Sequence, residues 1–355
     1  MELPHIDNVI LSPTYSSNST FLSNMTCAQC LCISSLSYPA LNCFPSNACQ
    51  LFYTFPSTYR IEYVQNARLY FPQQRFPNAS QCCMPDIYSL LSKLNASQAV
   101  LANVSNPRDA IIDNNSYLVT VEESTNYFIR FNSKNLTRIT YRSFLNPVQT
   151  TVVLFNNVYY TANIAGIIMA IDSQTLSILS NISTGVSGIR GMIFLNDGET
   201  MVVTACESNK VVFLNRTSIS PISYNISFSK NAAFKCPHGI WRVNDSVFYV
   251  TSNTNNSLHL FRRNGSHKEW DETFVLKMSA VFGNSARLTI DECNRFWFTF
   301  ETDTILIYHQ NGTKLASWTI PSSAIFDIKI MSNYLMFITE SNTGRARRIQ
   351  PNIQC

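Results

Sequence analysis

A short pattern recurs six times along this chain: two β-forming residues and a threonine, then a polar turn, then an alternating strand. The copies are Leu118-Val119-Thr120, Tyr159-Tyr160-Thr161, Val202-Val203-Thr204, Tyr249-Val250-Thr251, Trp297-Phe298-Thr299 and Phe337-Ile338-Thr339. Successive threonines stand about 40–48 residues apart, the period of four-stranded propeller blades. The clearest copy lies within His238 to Arg263. It reads as strand 240–243, a tight Asn244-Asp245 turn, strand 247–251, a polar turn over 252–257 and strand 258–262.

Each copy is preceded by an apolar alternation and a polar turn: Asp113-Asn114-Asn115, Asn156-Asn157, Asn196-Asp197-Gly198, Asn244-Asp245, Glu292-Cys293-Asn294 and Ser332-Asn333. Asn, Asp and Gly tolerate the left-handed backbone of a tight hairpin. A fourth strand follows most copies, as at 273–277 and 314–320. One such sheet cannot bury both apolar faces alone. Radial stacking buries them and leaves only short edges. The expected fold is therefore all-β: a six-bladed β-propeller over 97–355, preceded by a small disulfide-rich α+β module. The sixth copy reaches Cys355 with only three strands. Residues 97–105 are expected to supply the missing outer strand and close the ring.

The run YVTSNTNNSLHLF, residues 249–261, resembles the core of an NHL-type repeat. The resemblance covers about 107–355. The family's Asp after the strand is Ser252 here and is missing from every other copy, so the repeats are diverged. The resemblance implies a fold more than a function, because this architecture carries many unrelated activities.

Residues 1–24 are polar and read as a linker. The next segment, 25–96, crowds seven of the 11 cysteines: Cys27, Cys30, Cys32, Cys43, Cys49, Cys82 and Cys83. Strand-like runs span 40–44, 50–55 and 60–64. A helix is expected over 87–94, capped by Asp86, with Ile87, Leu90, Leu91 and Leu94 on one face. Cys27-x-x-Cys30-x-Cys32 invites zinc, which needs four converging ligands. No histidine lies between His5 and His238, so disulfides are the better reading, and no metal site is assigned. Small modules lack core area and rely on such cross-links. Cys82 and Cys83, being adjacent, are expected to have different partners.

The pattern ALNCFPSNACQLF, residues 40–52, resembles the centre of an apple/PAN module, with Cys27-x-x-Cys30 upstream. That resemblance implies a protein- or carbohydrate-binding module with no chemistry of its own. In the propeller, strand direction places Cys206 and Cys236 on one face, and they are expected to pair. Cys293 and Cys355 pair with each other, or Cys355 reaches the N-terminal module.

Asn-x-Ser/Thr sequons stand at Asn18, Asn24, Asn78, Asn95, Asn103, Asn114, Asn135, Asn181, Asn215, Asn225, Asn244, Asn255, Asn264 and Asn311. With the cysteines, they point to a glycosylated, oxidising, extracellular setting. The first residues lack the basic start and apolar core of a signal peptide. The expectation is a fragment of a longer secreted or anchored protein, or a misassigned start. No stretch is long enough to span a membrane. A net charge of +4 is too small to argue for nucleic acid.

In a propeller, the loops leading into the inner strands and those after each second strand surround one mouth of the channel. The candidates there are Arg108, Asp109, Glu122, Glu123, Arg190, Glu207, His238, Arg287, Glu301 and Glu340. Zinc held by several histidines, as in amidating-lyase-type propellers, fails because only His238 lies at an inner position. A Glu/Asn/Asp cation set of the gluconolactonase type would draw on Glu122, Glu207 or Glu301. The glycine-rich run 185–191 has no helix after it to complete a phosphate cradle. The expected function is a non-catalytic extracellular glycoprotein, without cofactor, binding a protein or glycan through the propeller face and the cysteine-rich module. The alternative is a hydrolase or lyase using a divalent cation in the channel.

Overall fold

The computed structural model describes residues 5–13, 19–34, 38–54, 59–71, 85–144, 149–233, 235–264, 269–278, 287–331, 334–351 and 353. By its contacts the chain divides into two compact units, 1–85 and 86–354.

The second unit contains six four-stranded antiparallel sheets. Their innermost strands are Pro107–Ile112, Gln149–Phe155, Ile189–Leu195, Pro237–Asn244, Arg287–Ile290 and Ile325–Ile330. Each touches the next, and the sixth touches the first, so the ring closes as a β-propeller. The last sheet takes its outer strand from Val100–Asn103, which pairs with Arg345–Ile349 in the register Arg345↔Asn103 to Arg348↔Val100. The sequence placed that closing strand correctly.

Burial explains the ring. Alternate residues of a strand point to opposite faces, and here both faces are apolar. Met201 and Val203 pack towards the second sheet, while Val202 packs towards the fourth. Phe296 and Phe298 join one neighbour and Trp297 the other. Each of the six seams between sheets holds its own buried cluster. At the closing seam, Phe337 and Ala346 of the last sheet meet Leu118, Ile129 and Phe131 of the first.

The repeat threonines are all buried, and three reach across a seam. Thr204 donates to the carbonyl of His238 at 2.6 Å, Thr299 to that of Phe326 at 2.6 Å, and Thr339 to that of Arg108 at 2.9 Å. Each bond satisfies a carbonyl of the neighbouring inner strand. The chain reverses tightly where expected: Asn156 and Asn157 both have positive φ, 47° and 59°, as a two-residue hairpin turn requires.

The helix Ile87–Ala96 is capped by Asp86, whose carboxylate accepts from the Ser89 N–H at 2.9 Å. Its apolar face packs on Trp318 and Ile349. It therefore belongs to the propeller unit, although the sequence reading grouped it with the cysteine-rich segment. Apolar area for Leu90 and Leu94 is available on the fifth and sixth sheets.

The first unit contains a five-stranded sheet, in which His5–Pro13 and Ser19–Ser23 are strands. The polar-linker reading of 1–24 is thus corrected. Leu11 is buried and its N–H is held by Asn42 Oδ1 at 2.8 Å, while 19–23 pairs with Ala48–Phe52. Cys27–Ser34 is a helix, fastened by Cys27–Cys43 and Cys30–Cys49 to the two strands of one hairpin. Cys32 is exposed and bonded to no other cysteine, against the expectation that the whole run cross-links. Residues three apart share a helix face and one two positions further does not, so Cys32 turns away. Cys82, Cys83 and Cys355 lie outside the described residues. Among the described residues Cys293 forms no disulfide, against the expected cross-link, and its sulfur accepts from the Tyr334 hydroxyl at 3.0 Å.

Cys206 and Cys236 are disulfide-bonded, as strand direction implied. Replacing both by serine is expected to cost about 2–4 kcal/mol in urea unfolding. Thr299→Val keeps shape but strands the buried Phe326 carbonyl. It is expected to cost about 1–3 kcal/mol by the same measurement, and no loss would separate the repeat threonine from ring stability.

Candidate functional site

The mouth is built where inner strands begin. Phe326, almost fully buried, stands at its centre. The guanidinium groups of Arg108 and Arg287 lie over its ring at 4.6 and 5.0 Å, and the His238 ring meets it edge-on at 6.0 Å. Arg108 is held by Glu123 and, at 2.9 Å, by Glu301. Glu301 is fixed in turn by the Ser341 hydroxyl at 2.9 Å. Ring electrostatics favour a cation over an aromatic face, so Phe326 steadies both arginines while the two glutamates hold Arg108.

One layer deeper, charge is buried inside the channel. Arg287, from the fifth sheet, crosses to donate to the Thr150 carbonyl of the second at 3.0 Å. It also lies 3.7 Å from Asp109. Asp109 accepts from the Thr151 hydroxyl at 2.6 Å and the Val152 N–H at 3.2 Å. Lys329 sits 3.3 Å from Asp109 and 3.0 Å from Asp327. These four charged groups also line a cavity of about 230 Å³, whose other walls include Ile111, Val153, Ile193, Ile240, Trp241 and Leu288.

The two aspartates shift in opposite directions. Burial alone pushes Asp109 up, but Lys329 and Arg287 outweigh it and hold the carboxyl below the usual range. Asp327 is pushed up to about 6, chiefly by burial, and its proton is shared towards Asp109. Lys329 is raised despite burial because both carboxylates face it. Arg190, half-buried, is lowered by burial and then by Arg287 and Arg108. Among the described residues it has no ion-pair partner.

The expected mouth residues are thus not all united. Arg108, Asp109, Glu123, His238, Arg287 and Glu301 converge, with Arg190 in their field and exposed Glu207 beside it. Glu122 and Glu340 are not mouth groups. Both are buried turn anchors: Glu122 accepts from the Ser105 N–H at 2.7 Å and from Thr125, and Glu340 from Thr343 at 2.9 Å and Arg347 at 2.5 Å. Asp327, Lys329 and Phe326 were missed. Their signal was present, since two charges interrupt the otherwise apolar inner strand Ile325–Ile330. Among the described residues no three His, Cys, Asp or Glu side chains converge to hold a metal ion. Asp109, Glu123, Glu301 and Asp327 each face an arginine or lysine.

No family model matches the chain, and no curated protein matches it in sequence. Solved structures share its fold. Selenomethionine-substituted virginiamycin B lyase from Staphylococcus aureus superposes with a TM-score of 0.52 at 12% identity, covering 72% of this chain and 99% of that one. A catalytically inactive variant of that lyase, crystallised with quinupristin, gives 0.50 at 14%, covering 73% and 90%. The WD40 β-propeller domain of Doa1 gives 0.51 at 11%, covering 69% and 78%. An all-β propeller is the fold these likenesses share with this chain. The lyase's chemistry belongs to the lyase. Among the described residues there are three disulfides, and no helix is long and apolar enough to cross a membrane.

A carboxyl that keeps its proton longer when folded favours folding below its unfolded pKa, about 4. That advantage fades as pH rises through about 6 for Asp327. Asp109 acts oppositely, stabilising at neutral pH and losing that contribution in acid. Asp327→Asn keeps a donor towards Asp109 without titrating. Relative to wild type it is expected to gain on the order of 1–3 kcal/mol between pH 4.5 and 7.5. Urea midpoints at the two pH values measure this, and a parallel pair of profiles would refute the charge assignment.

Proposed function

We propose that this chain is a non-catalytic extracellular glycoprotein that binds a protein or glycan partner at the propeller mouth. In this reading the six sheets are diverged NHL-like repeats and the cysteine-rich segment is apple/PAN-like. The latter is supported by a helix bonded through Cys27 and Cys30 to a hairpin.

The observation that carries the reading is where the sequons lie. Asn114, Asn135, Asn244, Asn264 and Asn311 fall at turns or strand ends opposite the mouth, and Asn215 pairs with Thr200 at that same end. Towards the mouth lie Asn255, in the fourth sheet's turn, and Asn103, on an outer edge. Sugars at the six far-end positions would cover the face opposite the mouth. The mouth itself offers Arg190, a guanidinium with no internal ion pair among the described residues, beside buried aromatic and charged groups. Arginine and aromatic groups of this kind dominate binding energy at interfaces.

Labelled protein applied to an immobilised glycan panel and to cell surfaces tests the proposal. Arg190→Ala is expected to weaken binding at least tenfold, while Asn135→Gln on the far face leaves it unchanged. Binding that survives Arg190→Ala removes the mouth as the contact surface.

A further inference from the structure

Of the twelve described sequon asparagines, Asn215 alone is half-buried, and the others are exposed. It opens into a groove between the outer strands of the third and fourth sheets, with a volume of about 310 Å³. One wall is aromatic: Phe213 and Phe228 stack at 4.2 Å, and Trp270 lies 5.4 Å from Phe213. The opposite wall is polar, with Arg216 paired to Glu199. The groove runs on into a second concavity of about 590 Å³, which shares Ser227, Phe228 and Trp270 with the first and ends at Lys230, Glu269 and Asp271. Each space falls within the range of ligand pockets, roughly 300–1,000 Å³. An aromatic wall facing a charged, hydrogen-bonding wall matches the two surfaces of a sugar ring: C–H groups on one side, hydroxyl groups on the other.

We propose that Asn215 carries an N-linked glycan whose first sugars lie along this groove, against Phe228 and Trp270, instead of projecting into solvent. The inference rests on the extracellular glycoprotein reading above. The Asn215 amide nitrogen attacks the anomeric carbon of a lipid-pyrophosphate-linked oligosaccharide. A C–N bond forms and the C–O bond to pyrophosphate breaks. The lipid pyrophosphate leaves with the bonding pair, and the amide loses one proton. Transfer to the chain before the sheets assemble avoids the obstacle of burial. Afterwards the nitrogen keeps one hydrogen, enough for its existing bond to the Ser227 hydroxyl at 3.2 Å. Thr200 still donates to the amide oxygen at 3.4 Å, so the attachment point stays oriented. Asn225, the cross-strand partner of Asn215, is a sequon too, but it is exposed and lines neither concavity.

The test uses the full chain secreted from a glycosylating eukaryotic cell. Native protein is treated with a peptide-N-glycanase, and release is followed site by site by mass spectrometry. The Asn215 glycan is expected to come off at least tenfold more slowly than those at Asn135 and Asn311, and equally fast once the protein is denatured. Phe228→Ala is expected to abolish that protection. Thr217→Ala, which removes the sequon but keeps Asn215, is expected to lower Tm relative to wild type, whereas Thr313→Ala leaves it unchanged. Equal native release at all three sites overturns the proposal, as does an unmodified Asn215 beside modified Asn135 and Asn311. An absence of sugar at every sequon overturns the glycoprotein reading itself, a result distinct from either.

Discussion

A sheet that is apolar on both faces cannot stop adding neighbours until the stack closes on itself. That constraint governs the larger unit of this protein. Tyr159 and Tyr160, adjacent in sequence, serve different seams. Met336 and Ile338 serve one seam while Phe337 serves the next. Continuous apolar runs in the second strands are thus the signature of two-sided burial. The threonine ending most of these runs places a hydroxyl where the inner strands would otherwise bury unsatisfied carbonyls, while Thr161 donates to the Gln149 side chain.

Closing the ring has an electrostatic cost. Inner strands bring polar residues at or near their starts, among them Asp109, Gln149, His238, Arg287 and Asp327, towards one axis, where they are buried. The structure answers with compensation: Asp109, Arg287, Asp327 and Lys329 neutralise one another across the first, fifth and sixth sheets. Breaking one member of such a set leaves a buried charge alone, which is far worse than never having had the set. Arg190 stands outside it, with no ion-pair partner among the described residues.

Much of this was legible in the sequence. Six copies at one spacing declared the ring, and a last copy of only three strands implied a closing strand near residue 100. Strand direction alone paired Cys206 with Cys236. The losses have physical causes. The strand at 5–13 depends on partners at 59–70, more than 40 residues away, and its apolar core is only Val9-Ile10-Leu11. Glu122 and Glu340 looked like mouth charges until their turns were seen. A threonine three residues after each, Thr125 and Thr343, was the available clue. The pairing of Asp109 with Asp327 joins opposite ends of the propeller sequence and exists only once the ring is closed, so no local pattern could announce it.

The closing strand also sets how this unit would respond to pulling. Val100 lies opposite Arg348, so the start of the ring segment and its finish emerge side by side. Tension between them loads one short ladder end-on, and its bonds break singly, in order, like a zip. The remaining five sheets carry almost none of that force until the ladder has opened. The fold therefore has a built-in weak point under traction, placed where only the last sheet is exposed to damage.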